Sequence, residues 1–275
     1  MHNLLLFIHL GLRGEHCNRK RMPSYRLWGS TEDGEVEFES LTTETLEDAL
    51  QMLRDSFFKD ESICQGVDLL SEPGAADELI ELCRLSAKDG VSVVAVEVCT
   101  GRVVGVSFNK IQTLAVPGVK GFFEIFAENC KCDSSRALTD FMVDVDSRLN
   151  LFEHYNVDTL LEVMFLGTAI SHRRRRIGEL IVAASIELGK QLKAGKDVKT
   201  PVEIHGVESI ANKDAAPKLC SLICSSLYSY KICKNLGFDT LVTVSLADYE
   251  FKGKKYIERI RDNKQKSAYL VAKRL

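Results

Sequence analysis

The stretch "TLLEVMFLGTAISHRRRRIGEL", residues 159–180, decides the reading of the fold. Its first half, 159–170, is a nearly unbroken apolar run of strand length. Such a run suits a strand buried on both faces. Four arginines follow, and then Ile177, Ile181, Ala184 and Leu188 recur at helical spacing. A strand-to-helix loop presents unpaired backbone N–H groups at the positive end of the helix dipole, where an anion is favoured. A cation there is unfavourable by about 0.3–1 kcal/mol. A run of four therefore points to a compensating anion, which arginine can grip with two hydrogen bonds. The competing reading is a solvated first helical turn.

Around this stretch the chain alternates strands and helices. "VEFESL" (36–41) reads as a strand. Thr42 or Thr43 then caps a helix carrying Leu46, Leu50, Leu53 and Phe57. A second helix is expected over about 75–88, ending before Gly90. "VSVVAVEV" and "RVVGVSF", parted by Cys99-Thr100-Gly101, read as a hairpin. Residues 135–149 have helical spacing, and "VEIHGVE" (202–208) reads as a strand containing a structural His205. "APKLCSLICSSLYSYKICKNLGF" (216–238) is expected to be one helix closed by Gly237. "FDTLVTVS" and "SAYLVAKR" are the last strands. The expected class is α/β, a mixed sheet with helices on its faces. Residues 1–33 are expected to be a disordered leader and 34–275 one domain.

Composition excludes several functions. The chain has 275 residues and a net charge of −3, so the arginine run is local and a general nucleic-acid binder is not expected. Nine cysteines in no regular framework indicate a reducing, cytoplasmic setting. Cys130-Lys131-Cys132 and Cys220…Cys224 lack the second pair that a zinc site needs, so no metal is expected. The apolar run Leu4–Leu12 is too short to span a bilayer, and no membrane partner is expected. Neither a G-x-x-x-x-G-K-[ST] loop nor a G-x-G-x-x-G loop occurs.

The loop resembles the acetyl-CoA loop of the GNAT N-acetyltransferase superfamily, [Q/R]-x-x-G-x-[G/A]. Arg173 stands at its first position and Gly178 at its last, while Arg176 replaces the middle glycine. "KICKNLGF" (231–238) is similar to the superfamily's late helix. "SFFKDESI" (56–63), "CSSLYSYKICKNLGF" (224–238) and "DYEFKGKKYI" (248–257) resemble the insect arylalkylamine N-acetyltransferases, the branch that includes dopamine acetylation. The resemblance runs from about residue 36 to the end. It implies the GNAT-type fold, a mostly antiparallel central sheet with helices on both faces.

The implied reaction passes an acetyl group from acetyl-CoA, a co-substrate, to a small arylalkylamine of the dopamine, serotonin or tryptamine class. Polyamines, agmatine or a longer acyl-CoA are the alternatives within the fold, and a degenerate CoA-binding member is the non-enzymatic one. An alkylamine is about one part in a thousand unprotonated at neutral pH, given a pKa near 10.4, so a general base helps. By resemblance that base is Glu61, set between "FF" and "SIC". Apolar neighbours would move a carboxylate's pKa up toward a useful range; the competing reading is an ordinary helix-end acid. Ser225 and Ser229, four apart on one expected helical face, match the branch's paired serines. Helix capping and packing explain them almost as well. Cys233 occupies the superfamily's usual tyrosine position, so the general acid stays open. The resemblance assigns Phe165, Leu166 and Gly167 to the pantetheine arm. It assigns Arg173, Arg174, Arg175, Arg176, Ile177 and Gly178 to the pyrophosphate. Phe57, Phe58 and Ile63 are candidates for an aryl pocket. A monomer is expected.

Overall fold

The computed structural model describes residues 26–114 and 118–275. Its main sheet is built from β1 (Leu27–Ser30), β2 (Val36–Ser40), β3 (Val93–Glu97), β4 (Val103–Thr113), β5 (Thr159–Thr168), β8 (Leu219–Cys224), β9 (Asp239–Ser245) and β12 (Ser267–Arg274). Two hairpins stand apart, β6 (Val202–Ile204) with β7 (Val207–Ser209), and β10 (Glu250–Phe251) with β11 (Lys254–Lys255). The main sheet runs β1-β2-β3-β4-β5-β8-β12-β9. Its pairs are antiparallel except β5 with β8. The helices are α1 (Thr43–Met52), α2 (Phe58–Asp60), α3 (Ser62–Gly66), α4 (Ala75–Ala87), α5 (Phe122–Asn129), α6 (Asp133–Ser147), α7 (Leu151–Tyr155), α8 (Ile177–Lys193), α9 (Leu227–Asn235) and α10 (Tyr256–Arg259).

Two apolar layers hold the sheet between helices. On one face Leu46, Leu50, Leu79, Leu82, Leu138 and Phe141, from α1, α4 and α6, pack with Val94, Val106 and Phe108. On the other, Ile177, Ile181 and Leu188 of α8 pack with Ala95, Leu161 and Val163. Each such side chain contributes about 1.5–3 kcal/mol when fully buried. Gly105 of β4 permits the second contact, because a Cβ there would stand 2.7 Å from Ile181 Cδ1. The expected α/β class, mostly antiparallel with helices on both faces, is the observed one. No helix among the described residues is long and apolar enough to cross a membrane.

Four local expectations are corrected. Leu27–Ser30, placed in the leader, form an edge strand whose Trp28 is buried and donates from Nε1 to Ser40 Oγ at 3.0 Å. Residues 1–25 lie outside the described residues. The long helix expected over 216–238 is instead β8 followed by α9. Its first part, Leu219–Cys224, is buried on both faces, and a short run of that kind has no period to read. "VEIHGVE" is a hairpin, and His205 sits in its turn at φ 53°, exposed and paired with Glu81 at 2.9 Å. The first helix does not run evenly to Phe57. A π-helical turn occupies Leu53–Phe57, with Ser56 Oγ donating to the Met52 carbonyl at 2.6 Å. Such turns bulge a helix outward and re-aim its side chains.

A buried polar layer crosses the middle of the sheet. Lys110 and Asp89 form an ion pair at 2.8 Å, both buried. Gln112 Nε2 donates to Glu162 Oε2 at 2.8 Å. Burial, and after it the charge of Asp146, pushes the Glu162 carboxyl up to about 8. Burial also raises Asp146, to about 6. A carboxyl removed from water resists ionisation, and two close together resist it more.

Candidate active site

A narrow cleft, open to solvent, lies between the π-turn, α4, α5, α6 and the outer ends of β5 and β8. Of the residues singled out in the sequence, Phe57, Glu61, Ile63, Phe165 and Ser225 line it together. Leu82, Phe123, Leu138, Thr139, Met142, Met164 and Ile223 complete the wall. Glu61 is the one charged residue in that lining.

The interruption between α2 and α3 at Glu61 aims it. Its backbone is extended (φ −69°, ψ 139°) between α2 and α3. Its carboxylate caps α3, with Oε1 accepting from Ile63 N–H at 3.0 Å and Oε2 from Cys64 N–H at 2.7 Å. A carboxylate has about four lone-pair sites, so each oxygen keeps one for a ligand in the cleft. Glu61 is thus both the helix-end acid and a cleft acid. Phe57 packs edge-on against Phe165, ring centroids 5.8 Å apart. Gly167 lets the π-turn lie this close, since a Cβ there would meet Leu53 Cδ2 at 2.7 Å and Phe57 Cβ at 3.6 Å. Phe58, expected in an aryl pocket with its neighbour, is corrected: it points into the core at 2 % exposure and does not line the cleft.

β5 and β8 are zipped only in part. Their parallel pairing covers Leu160 to Val163 against Leu219 to Leu222. β5 continues to Thr168 and β8 to Cys224. On its other edge β5 stays paired with β4 through Thr168, across a bulge at Met164. Phe165, Leu166 and Gly167 therefore present one edge of backbone in the gap beside the cleft. An open edge of that kind suits an extended, amide-bearing arm that adds as a strand.

The arginine loop follows directly. Arg174 (φ 66°) and Arg176 (φ 60°) are left-handed. Arg176 is the N-cap of α8 and offers no side-chain cap. The residue in the glycine's place thus adopts the conformation glycine favours, at a cost of about 1–2 kcal/mol. Gly178 stands where a Cβ would approach Ile232 Cδ1 of α9 to 3.3 Å. Ile177 is buried in the core and contributes to the loop by backbone only. The side chains behave otherwise than the four-cation reading expects. Arg173 pairs with Asp60 at 2.8 Å, Arg175 with Glu35 and Asp33, and Arg176 with Glu179. The Arg176 guanidinium holds the Glu179 carboxyl below the usual carboxylate range. Arg174 has no ion pair among the described residues and is exposed. The cations are compensated largely within the chain; the Arg173 N–H donates to the Ile170 carbonyl at 3.4 Å, and the N–H groups that follow it are the ones left for an anion.

The paired-serine expectation is corrected. Ser225 precedes α9, whose N-cap is Ser226, so Ser225 and Ser229 do not share a helical face. Ser226 Oγ accepts from Ser229 N–H at 3.1 Å, and the two hydroxyls are 2.9 Å apart. Ser229 closes the cap and does not line the cleft; Ser225 does. Gln265 fixes this corner, its Oε1 accepting from Leu227 N–H at 2.7 Å. Cys233, at the tyrosine position, is buried with its Sγ 3.6 Å from Cys224 Sγ. Sequence reasoning missed Thr139, Met142 and Phe123. Their helices show an apolar period, but a period does not say which apolar residue reaches a cleft.

No protein-family model matches the chain. Solved structures do. Arylalkylamine N-acetyltransferase 2 from Aedes aegypti aligns over 87% of this chain and 98% of its own, at 20% identity and TM-score 0.68. Putative arylalkylamine N-acetyltransferase 7 of the same mosquito aligns over 93% and 97%, at 18% identity and TM-score 0.68. A Drosophila melanogaster polyamine N-acetyltransferase, which forms N-acetylagmatine, aligns over 87% and 100%, at 17% identity and TM-score 0.67. The chain has the GNAT acetyltransferase fold, and in that fold it resembles the insect arylalkylamine N-acetyltransferases.

Proposed function

We propose that this chain is a single-domain, acetyl-CoA-dependent N-acetyltransferase of small arylalkylamines. The observation that carries the reading is the partial unzipping of β5 from β8 beside a cleft whose one charged wall residue is Glu61. The open edge at Phe165, Leu166 and Gly167 would hold the pantetheine arm, and the backbone of Arg173 to Gly178 the pyrophosphate. Acetyl-CoA supplies an already activated acyl group as a thioester. The chain's own task is to deliver a neutral amine and keep water out. Glu61 accepts the ammonium proton, directly or through water, on the lone pairs its helix cap leaves unused. Phe57, Ile63 and Phe165 seat an aryl tail, with Phe123 and Met142 opposite. The hydroxyl of Ser225 is the cleft's candidate donor to the leaving thiolate.

A second cation, as in agmatine or spermidine, finds no second carboxylate in that lining. The apolar walls therefore favour dopamine, serotonin or tryptamine. The test is acetyl-CoA turnover against these three amines, spermidine and agmatine. Higher kcat/KM for the aryl amines is expected, and a preference for the polycations would refute the substrate class. Glu61→Gln should lower kcat/KM by about 10²- to 10⁴-fold, most at low pH, where free amine is scarcest. An unchanged pH–rate profile would remove Glu61 as base.

A further inference from the structure

A second constellation lies outside the cleft. It occupies a solvent-open groove between α1, the β3–β4 hairpin and the segment after β5. Ser171 and His172 belong to the short 3-10 turn Ile170–His172. Ser171 Oγ is 2.9 Å from His172 Nδ1, and His172 Nε2 is 3.2 Å from Glu97 Oε1. Ser171 is exposed, while the His172 and Glu97 side chains are 14% and 28% exposed. Glu97 is fixed from two sides. The Thr100 hydroxyl donates to its Oε2, and Gly101 N–H donates to its carbonyl at 2.8 Å. The Thr100 hydroxyl and, after it, His172 hold its carboxyl below the usual carboxylate range. It is an anion at neutral pH. With the imidazole proton on Nε2, donated to Glu97, Nδ1 accepts from the Ser171 hydroxyl. Nucleophile, base and orienting acid then stand in hydrogen-bonded series, which is how such triads are recognised on unrelated folds. Nothing in the amine-acetylation scheme uses these three residues.

We propose that Ser171, His172 and Glu97 form a second catalytic site that hydrolyses short-chain acyl esters and thioesters. Ser171 Oγ bonds to the carbonyl carbon as His172 Nδ1 takes its proton. The carbonyl C–O or C–S bond breaks, and His172 passes that proton to the departing alkoxide or thiolate. Water then attacks the acyl-serine, His172 receives its proton, and Ser171 Oγ leaves and is reprotonated. The products are the carboxylic acid and the alcohol or thiol. Glu97 stabilises the imidazolium in both halves. Met52, Val103 and Val104 give the groove an apolar wall for a short acyl chain, and Arg102 stands in the same lining beside Asp48 and Asp55.

4-Nitrophenyl acetate is the probe, with the full chain. A burst of nitrophenolate followed by slower turnover is expected, with a mass increment of one acetyl group on the peptide containing Ser171. Ser171→Ala should lower the rate by about 10²-fold or more, and Glu97→Gln should lower it with Ser171 still acylated. Ser171 is exposed, so its alanine variant should keep the parent Tm. The acyl adduct is read on the parent protein and does not depend on any variant folding. Parent-rate hydrolysis by Ser171→Ala, or an adduct on a cysteine or lysine instead, would overturn the proposal.

Discussion

The two halves of β5 share one strand and one apolar sequence, and they do different work. From Leu160 to Val163 the strand is sealed on both edges, by β4 and β8. From Met164 to Thr168 it keeps β4 and loses β8. The sealed half anchors the core and carries the buried Glu162. The open half carries backbone groups and side chains at the gap beside the cleft. Stability belongs to the first half and, under the proposed function, chemistry to the second, and the switch comes at the bulge on Met164.

The largest expected effect tests the sealed half. Leu161 is fully buried against α8. Leu161→Ala should cost about 2–5 kcal/mol by cavity formation, read by denaturant unfolding, while the protein that remains folded keeps its kcat. A fall in kcat with unchanged stability would erase the division. Next in size is the buried carboxyl. The folded Glu162 titrates at about 8 against an ordinary 4.5, so between those values the folded state binds more protons than the unfolded. Stability is fullest below that window and falls as pH rises through it. Glu162→Gln removes this loss and keeps an acceptor for Gln112, so its Tm should exceed the parent's by several degrees at pH 8 and converge with it near pH 5. A parent Tm that does not fall between pH 5 and 8 would contradict the assignment. The smallest effect belongs to the loop that follows the open half. Arg176→Gly relieves a left-handed arginine and removes an exposed pair with Glu179. These nearly offset, at about 1 kcal/mol each, so Tm should barely move while acetyl-CoA binds more tightly by calorimetry. Weaker binding would mean that the arginine side chain itself serves the anion.

Legibility followed the same division. Elements with a clean period were read directly from the residues: β12 over Ser267–Arg274 and α4 over Ala75–Ala87. β5 was legible because its apolar run is long and bounded by the arginines. β8 was not, since six small and apolar residues buried on both faces look the same in either conformation. The boundary at Ser226 was also hidden. A serine that caps and a serine that faces a cleft are alike in a string, and only the placement of β8 separates Ser225 from Ser229. Of the residues that a family motif marked, Glu61 does line the candidate cleft, while the loop lies outside that lining. The site was illegible where tertiary packing alone recruits a side chain, as with Thr139 and Met142. Phe57 and Phe58 differ by the π-turn, which no local pattern announced.

The ion pair between Arg173 and Asp60 has a consequence for the order of events. Asp60 is the residue before Glu61, and Arg173 opens the arginine loop. The pair is half exposed, so parting it costs about 0–1 kcal/mol. Under the proposed function the carboxylate would be a placeholder: it would occupy the guanidinium until a phosphate arrived, and yielding it would loosen the segment next to Glu61. Two ligands that meet through one such contact cannot bind independently. Linkage requires that each alter the other's affinity by the same factor, so donor and acceptor would report on one another through a single surface salt bridge.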